Sequence, residues 1–498
     1  MSNHNDFQRA LIFQGGGSLG AYEAGAYKAF YELLSERDKK LGREDHPLFD
    51  IVAGTSIGSM NAAVLVSYVK ENKTWKGSPD RLIEFWEYMA TDSAVDKVPG
   101  FNEWWDYWHY FNNNLATAES ARRYYGTKRF IFEGVPHVFT PTKTVDDRRF
   151  LDPANTWYLY SNEPLKKSLE KFANFPIVTS YQEKEPRLLL VALDVQEGLS
   201  VVFDSYEKAD GSRKTEYGRY GPEFAREDNK NEDYEFVIRY DKGIEVDFVL
   251  ASGSVPVNYD YTRIPVEEHD KVSNDNDNYN NKKQNEIQNE GHKLSGNNKT
   301  VRTRHFWDGG IVANTPLRDA VLEHRRYWHY VKKSKPPILR ACIINVHPIR
   351  QDSLPANYDA LIDRKNDLTY HDRTLFDERM AIMFTDYVNL TERLIRVAVE
   401  NGVNKAAVDD ILKEQTLTRN FMTGKHFKYA DLIDNAVTLD FVFRIERKND
   451  IHTIANKTFD FSDTTIRQLI KDGYEEALEQ GSNLLRQFDS EHPRINRV

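Results

Sequence analysis

At 498 residues with a formal net charge of −10, the chain has the size to bury an extensive core and lacks the basic balance that nucleic-acid phosphates require. A lone cysteine, Cys342 in the apolar run ILRACIINV, excludes internal disulfides, reads as a small core residue and points to a reducing compartment. No run approaches the ~18 apolar residues of a membrane span, and MSNHNDFQRALIF has no long apolar segment, so a cytoplasmic protein without signal peptide is expected.

In chain order, residues 8–14 read as a short buried strand, followed by GGGSLG and a helix. In that helix Ala21, Gly25 and Ala29, four apart, form a small-residue stripe suited to close packing on a sheet. FDIVAGTS is a second strand ending at Ser56, and IGSMNAAVLVSYVKEN a second helix. Strand, tight turn and helix twice over predict an α/β fold with parallel strands. Further strands are expected at 188–195, 199–206, 236–240 and 338–346, and VDFVLASGSVP reads as a helix broken at Pro256.

Two segments interrupt the scheme. FNEWWDYWHYFNNNLATAESARRYY (101–125) is dense in aromatics and predicts a surface-packed cap with a small core of its own. The same residues suit the wall of an acyl-chain pocket or a membrane-contacting lid, since Trp and Tyr fit a half-wet interface. The Asn-rich stretch at about 267–300 has too few apolar residues to order itself and reads as a flexible insertion. Beyond 355 the pattern turns helical, with Leu390, Leu394, Val397 and Ala398 on one helix face. VTLDFVFRIERK predicts a strand, and Ser462 an N-cap before the last helix, without a full capping box because position 465 is Thr.

The chemistry starts at the glycines. Gly15-x-Gly17-x-x-Gly20 fits a dinucleotide pyrophosphate cradle, and its bare amides suit the oxyanion of acyl transfer equally well. Gly54-Thr55-Ser56-Ile57-Gly58 is a G-x-S-x-G elbow between strand and helix, the shape that exposes a nucleophilic hydroxyl. That serine needs a base. A hydrolase triad would take one of His305, His324, His329 or His347, with His347 best placed. Asp308 is the other candidate; it stands in Trp307-Asp308-Gly309-Gly310, between the strand-like VRTRHFW and the helical TPLRDAVLEHRRY.

The ordered trio G-G-G-x-x-G, G-x-S-x-G and D-G-G resembles the patatin-like phospholipases, serine acyl hydrolases with a Ser–Asp dyad, over about residues 8–350. ASGSVPVNY (251–259) is similar to that family's small-residue stretch ahead of its Asp. The resemblance implies Ser56 as nucleophile, Asp308 as base and the backbone of Gly15, Gly16 and Gly17 as oxyanion hole, with Gly20, Gly54, Gly58, Gly309 and Gly310 as motif positions. It implies no metal or cofactor, and a phospholipid or related lipid ester as substrate. Many members carry Asp and Lys or Arg where this chain has Gln14 and Leu19, departures that bear on head-group preference rather than on catalysis.

The expected fold is α/β: a three-layer α/β/α with a mostly parallel central sheet, plus a largely helical C-terminal elaboration. A hydrolase domain is expected over 8–350, with the aromatic-rich insertion at about 100–165, and a mainly helical region over 355–498 packed on it. The alternatives are an NAD or FAD oxidoreductase using the Gly15–Gly20 loop with Glu32 or Glu36 as ribose-binding acid, a Ser-His-Asp hydrolase, and a catalytically silent binding module.

Overall fold

The computed structural model describes residues 7–92, 99–111, 117–142, 151–152, 154, 156–218, 236–269, 299–351, 354–355, 357–419, 426–434, 436–448 and 456–489. The flexible insertion expected at about 267–300 lies almost wholly outside them.

Ten strands form one sheet: β1 (Phe7–Phe13), β2 (Ile51–Thr55), β3 (Arg187–Asp194), β4 (Leu199–Asp204), β5 (Lys214–Tyr217), β6 (Phe236–Arg239), β7 (Thr262–His269), β8 (Lys299–Asp308), β9 (Ile338–Asn345) and β10 (Leu439–Glu446). Their spatial order is β10-β9-β1-β2-β3-β8-β7-β6-β5, with β4 alongside β3. From β10 to β3 all pairings are parallel; the pairings beyond are antiparallel. The parallel strands inside the sheet include the most apolar runs of the sequence, as burial on both faces demands, whereas the edge strand β10 alternates buried and half-buried residues. Strands β5 and β7, rich in charged residues, carry no such signal.

Side chains alternate across β1. Leu11 and Phe13 join a large core with α1 (Gly20–Lys40), α2 (Ile57–Asn72) and α3 (Ser78–Met89). Ala10 and Ile12 face a second core that includes Leu317 and Ala320. This gives the three layers expected of the fold.

Further helices around this frame include α4 (Phe101–Phe111), α5 (Ala118–Glu133), α6 (Val246–Ser252), α7 (Leu317–Arg326), α8 (Tyr358–Tyr370) and α9 (Leu375–Glu400). Another, α10 (Asp463–Asp489), lies directly on α1. A Cβ on Gly25 would strike the carbonyl of Ile470, and one on Gly473 the carbonyl of Tyr22. The small-residue stripe of α1, expected to pack on the sheet, meets α10 at Gly25. Ser462, just ahead of α10, bonds Asp460 and Thr465 through its hydroxyl.

Two apolar surfaces stay open. On α4, Trp104, Tyr107 and Trp108 are 57%, 59% and 50% exposed, while Trp105 packs edge-on against Tyr125 of α5. On α9, Leu390, Leu394 and Val397 share a face as expected, but that face is more than half exposed.

Candidate active site

Strand β2 ends at Thr55, paired with Val191 of β3, and the chain turns sharply into α2. Ser56 makes the turn with φ 56° and ψ −127°, a strained positive-φ conformation that costs about 1–3 kcal/mol and persists only where the surroundings enforce it. They do. The Ser56 amide donates to Ser252 Oγ at 3.1 Å, and the Ser56 carbonyl accepts the Ser59 amide at 2.9 Å. A Cβ on Gly54 would hit the carbonyl of Gly58, and one on Gly58 would come within 2.6 Å of the Phe13 carbonyl. Only glycine fits either side of this elbow.

Asp308 reaches the same point from the opposite direction. On one edge of β3, Val191 pairs with Thr55 of the parallel strand β2, and the next residue, Ala192, pairs with Asp308 of the antiparallel strand β8. β4 runs along the other edge. Strands β2 and β8 therefore meet end to end, and the residues at their tips, Ser56 and Asp308, become neighbours. Gly309 lets β8 turn away here, since a Cβ on it would strike the Val191 carbonyl. Thr55 Oγ1 donates to the Ala313 carbonyl at 2.8 Å and ties the two turns together.

The carboxyl of Asp308 is buried, and the Asp308 amide donates to the Ser254 carbonyl at 2.9 Å. Oδ1 accepts the Gly310 amide at 2.7 Å, whereas Oδ2 is buried with no hydrogen bond. Burial pushes this acid up to about 6, against the opposing pull of the Ser56 hydroxyl and the Gly310 amide. The hydroxyl is thus near enough to act on the charge without a formed bond. Long contacts of this kind are usual in unliganded sites.

The glycine loop covers the pair. Ser56 Cβ lies 3.0 Å from where a Cβ on Gly15 would sit. Gly15 itself is spent: its amide donates to the Asn314 carbonyl at 3.2 Å, and its carbonyl accepts Asn314 Nδ2 at 3.1 Å. The amides of Gly16 and Gly17 make no hydrogen bond among the described residues. Gly17 has φ +59°, followed by a short turn Gly17–Leu19 into α1 at Gly20. Of the three glycines expected to supply donors, two thus have amides to offer.

Gln14 and Leu19 are both buried and form structure rather than a head-group surface. Gln14 Oε1 accepts the amides of Val346 and His347 at 2.8 and 3.0 Å, and its Nε2 donates to Thr315 Oγ1 and the Tyr370 carbonyl. None of the four histidines hydrogen-bonds Ser56 or Asp308. His305 meets Gln196, His324 the Pro337 carbonyl, and His347 Asp367; His329 packs on Tyr330. The two acids considered for a ribose are engaged elsewhere, Glu32 with Tyr474 and Glu36 with Lys40 at the surface. Among the described residues, no group of His, Cys, Asp and Glu is arranged to hold a metal, and no helix is long and apolar enough to cross a membrane.

Sequence reasoning missed Asn314 and Ser252, whose partners lie 299 and 196 residues away. No local signal marks them.

A comparison with curated protein sequences finds no match. Among solved structures, VipD from Legionella pneumophila is similar at 12% identity, covering 96% of this chain and 67% of that one, with a TM-score of 0.26, a level that supports no inference. The model of the patatin-like phospholipases matches residues 11–321, well over half of the 498, and takes in the glycine loop, the elbow and the Asp-Gly-Gly turn. The chain belongs to the patatin-like phospholipase family, the lipid acyl hydrolases.

Proposed function

We propose that the chain is a serine hydrolase that cleaves carboxylic ester bonds of phospholipids or related lipids through an acyl-enzyme on Ser56, with Asp308 as base. The end-to-end meeting of β2 and β8 along β3 carries this reading, because it brings a strained serine and a buried carboxyl together without a histidine. An ordinary aspartate, with a pKa near 3.9, is a weak base toward an alcohol. At about 6, with Oδ2 unbonded, Asp308 is a stronger one and is still ionised at neutral pH.

Asp308 Oδ2 takes the proton as Ser56 Oγ attacks the ester carbonyl. The amides of Gly16 and Gly17 receive the oxyanion, each donor supplying on the order of 3 kcal/mol. The proton then passes to the leaving alcohol as the C–O bond breaks. Water, deprotonated by Asp308, releases the fatty acid and restores the serine. The exposed aromatics of α4 support peripheral contact with a lipid surface by an otherwise cytoplasmic protein.

Turnover of a chromogenic acyl ester by the wild type, Ser56→Ala and Asp308→Asn tests the proposal. Loss of at least a thousandfold in both variants is expected; equal turnover in all three overturns it.

A further inference from the structure

The glycine loop belongs to the segment matched by the family, yet much of what grips it does not. His347, Asp367, Tyr370 and Lys457 all lie beyond residue 321. Gln14 Oε1 fixes the main chain at Val346 and His347, which sets the imidazole beside the loop: His347 Nε2 is 3.6 Å from where a Cβ on Gly16 would be. Asp367, on α8, bonds His347 Nδ1 at 3.1 Å through Oδ1 and Lys457 Nζ at 2.8 Å through Oδ2. The Lys457 carbonyl accepts Ser18 Oγ at 2.9 Å, and the Thr458 carbonyl lies 2.5 Å from a Cβ on Gly17. The chain of contacts is closed: it leaves the loop at Gly16 and returns to it at Gly17 and Ser18.

All three side chains are mostly buried, and burial holds the imidazole below its usual range while Lys457 and His347 hold Asp367 ionised. A neutral imidazole beside an ionised carboxylate keeps its proton on Nδ1 and turns a proton-free Nε2 toward Gly16. The last carbonyl of α8, on Tyr370, receives both Asn314 Nδ2 and Gln14 Nε2 at the other end of the loop. These contacts converge on the turn of Gly16 and Gly17, whose amides stay unbonded among the described residues.

We infer that Asp367, acting through His347 and braced by Lys457, is a positioning residue that fixes the Gly16 and Gly17 amides for the oxyanion. The inference rests on the proposed serine chemistry. The C-terminal region is then part of the catalytic apparatus, because the oxyanion site is incomplete without α8 and the turn at 456–459. A loop with unbraced amides still binds substrate but loses stabilisation made only in the transition state.

The experiment measures kcat and KM for an acyl ester, the rate of reaction with a fluorophosphonate, and the thermal midpoint, in full-length wild type and Asp367→Asn. A fall in kcat of at least tenfold, KM within about twofold, a parallel slowing of phosphonylation and partial recovery in Asp367→Glu are expected. The double variant His347→Ala/Asp367→Asn should be little worse than either single one, since both cut the same chain. Lys457→Met carries the same expectation if Asp367→Asn does not fold. Unchanged kcat overturns the inference, as does a rise in KM alone or a loss that only follows unfolding. Ser56→Ala separates the two levels: if it retains turnover, the serine chemistry itself fails, and if it is dead while Asp367→Asn is fully active, only the positioning role does.

Discussion

Ser252 holds Ser56 in place: its Oγ accepts the Ser56 amide at 3.1 Å and donates to the Val191 carbonyl at 2.6 Å, bridging the elbow to the strand edge on which both tips meet. The bridge is buried and comes from the last residue of α6, two positions ahead of Ser254, whose carbonyl accepts the Asp308 amide. Ser252→Ala removes it and leaves a main-chain amide unpaired, a cost of about 1–3 kcal/mol. The serine should drift from its strained conformation, so kcat is expected to fall about tenfold with little change in KM. Steady-state kinetics with an acyl ester, alongside a urea midpoint, checks both halves.

The pH profile follows from Asp308. As base it must be ionised, and burial sets its titration at about 6. The value of kcat/KM should therefore rise with pH through about 6 and level off above 7. A profile already flat from pH 4.5 upward would place the proton acceptor elsewhere.

The same burial costs stability. The folded-state pKa of Asp308 stands above the unfolded value of 3.8, so folding takes up a proton between the two. Its stabilising contribution is complete below about 3.8 and is lost as pH rises through about 6, leaving a penalty of about 3 kcal/mol at neutral pH. Asp308→Asn keeps an oxygen for the Gly310 amide and avoids that charge. It should be inactive yet more stable than the wild type at pH 8, with the difference vanishing near pH 4. Chemical unfolding at the two pH values reads this directly; a less stable variant at pH 8 would refute it.

The crossing of α1 and α10 gives a prediction of opposite sign. Gly473→Ala adds up to ~1 kcal/mol of helix propensity. The new methyl would meet the main-chain carbonyl of Tyr22, which no rotamer change relieves. A net loss of about 2 kcal/mol is expected from overpacking. Denaturant titration of the variant would show a lowered midpoint with an unchanged slope.

For α4, the triple variant of Trp104, Tyr107 and Trp108 to alanine should bind phospholipid vesicles at least about tenfold more weakly. Its stability should hardly change, because these side chains are at least half exposed. Co-sedimentation with vesicles measures the first point and a thermal melt the second. Undiminished binding would mean that the lipid surface is met elsewhere.

The elbow and the Asp-Gly-Gly turn were legible in the sequence because each is a local device, five residues or fewer between a strand and a helix. Their adjacency was implied only by the family resemblance and by nothing local. It depends on Thr55 and Asp308 taking consecutive partners on β3, a register that pairs residues more than a hundred positions apart. The glycine loop was readable as an anion cradle, but the loss of the Gly15 amide to Asn314 was not, since nothing near residue 15 announces it. Gln14 read as a changed head-group contact; its neighbours turn out to be the amides of Val346 and His347. Apolar periodicity marked the face of α9 correctly, but periodicity says which residues lie together and not what covers them. In α4, Trp105 packs against Tyr125 as a cap with a core of its own requires, while Trp104, Tyr107 and Trp108 are turned to solvent.

One consequence of the wall that closes the glycine loop concerns time. Ser18 and the Lys457 carbonyl that receives it are 439 residues apart. At roughly 5–20 residues per second, a ribosome needs on the order of 20–90 s between making the one and making the other. The elbow and the Asp308 turn can assemble during that interval, while the turn proposed to hold the oxyanion stands unwalled. An unfinished chain would then carry both members of the proposed dyad and still be a poor hydrolase, a delay written into the order of the polypeptide.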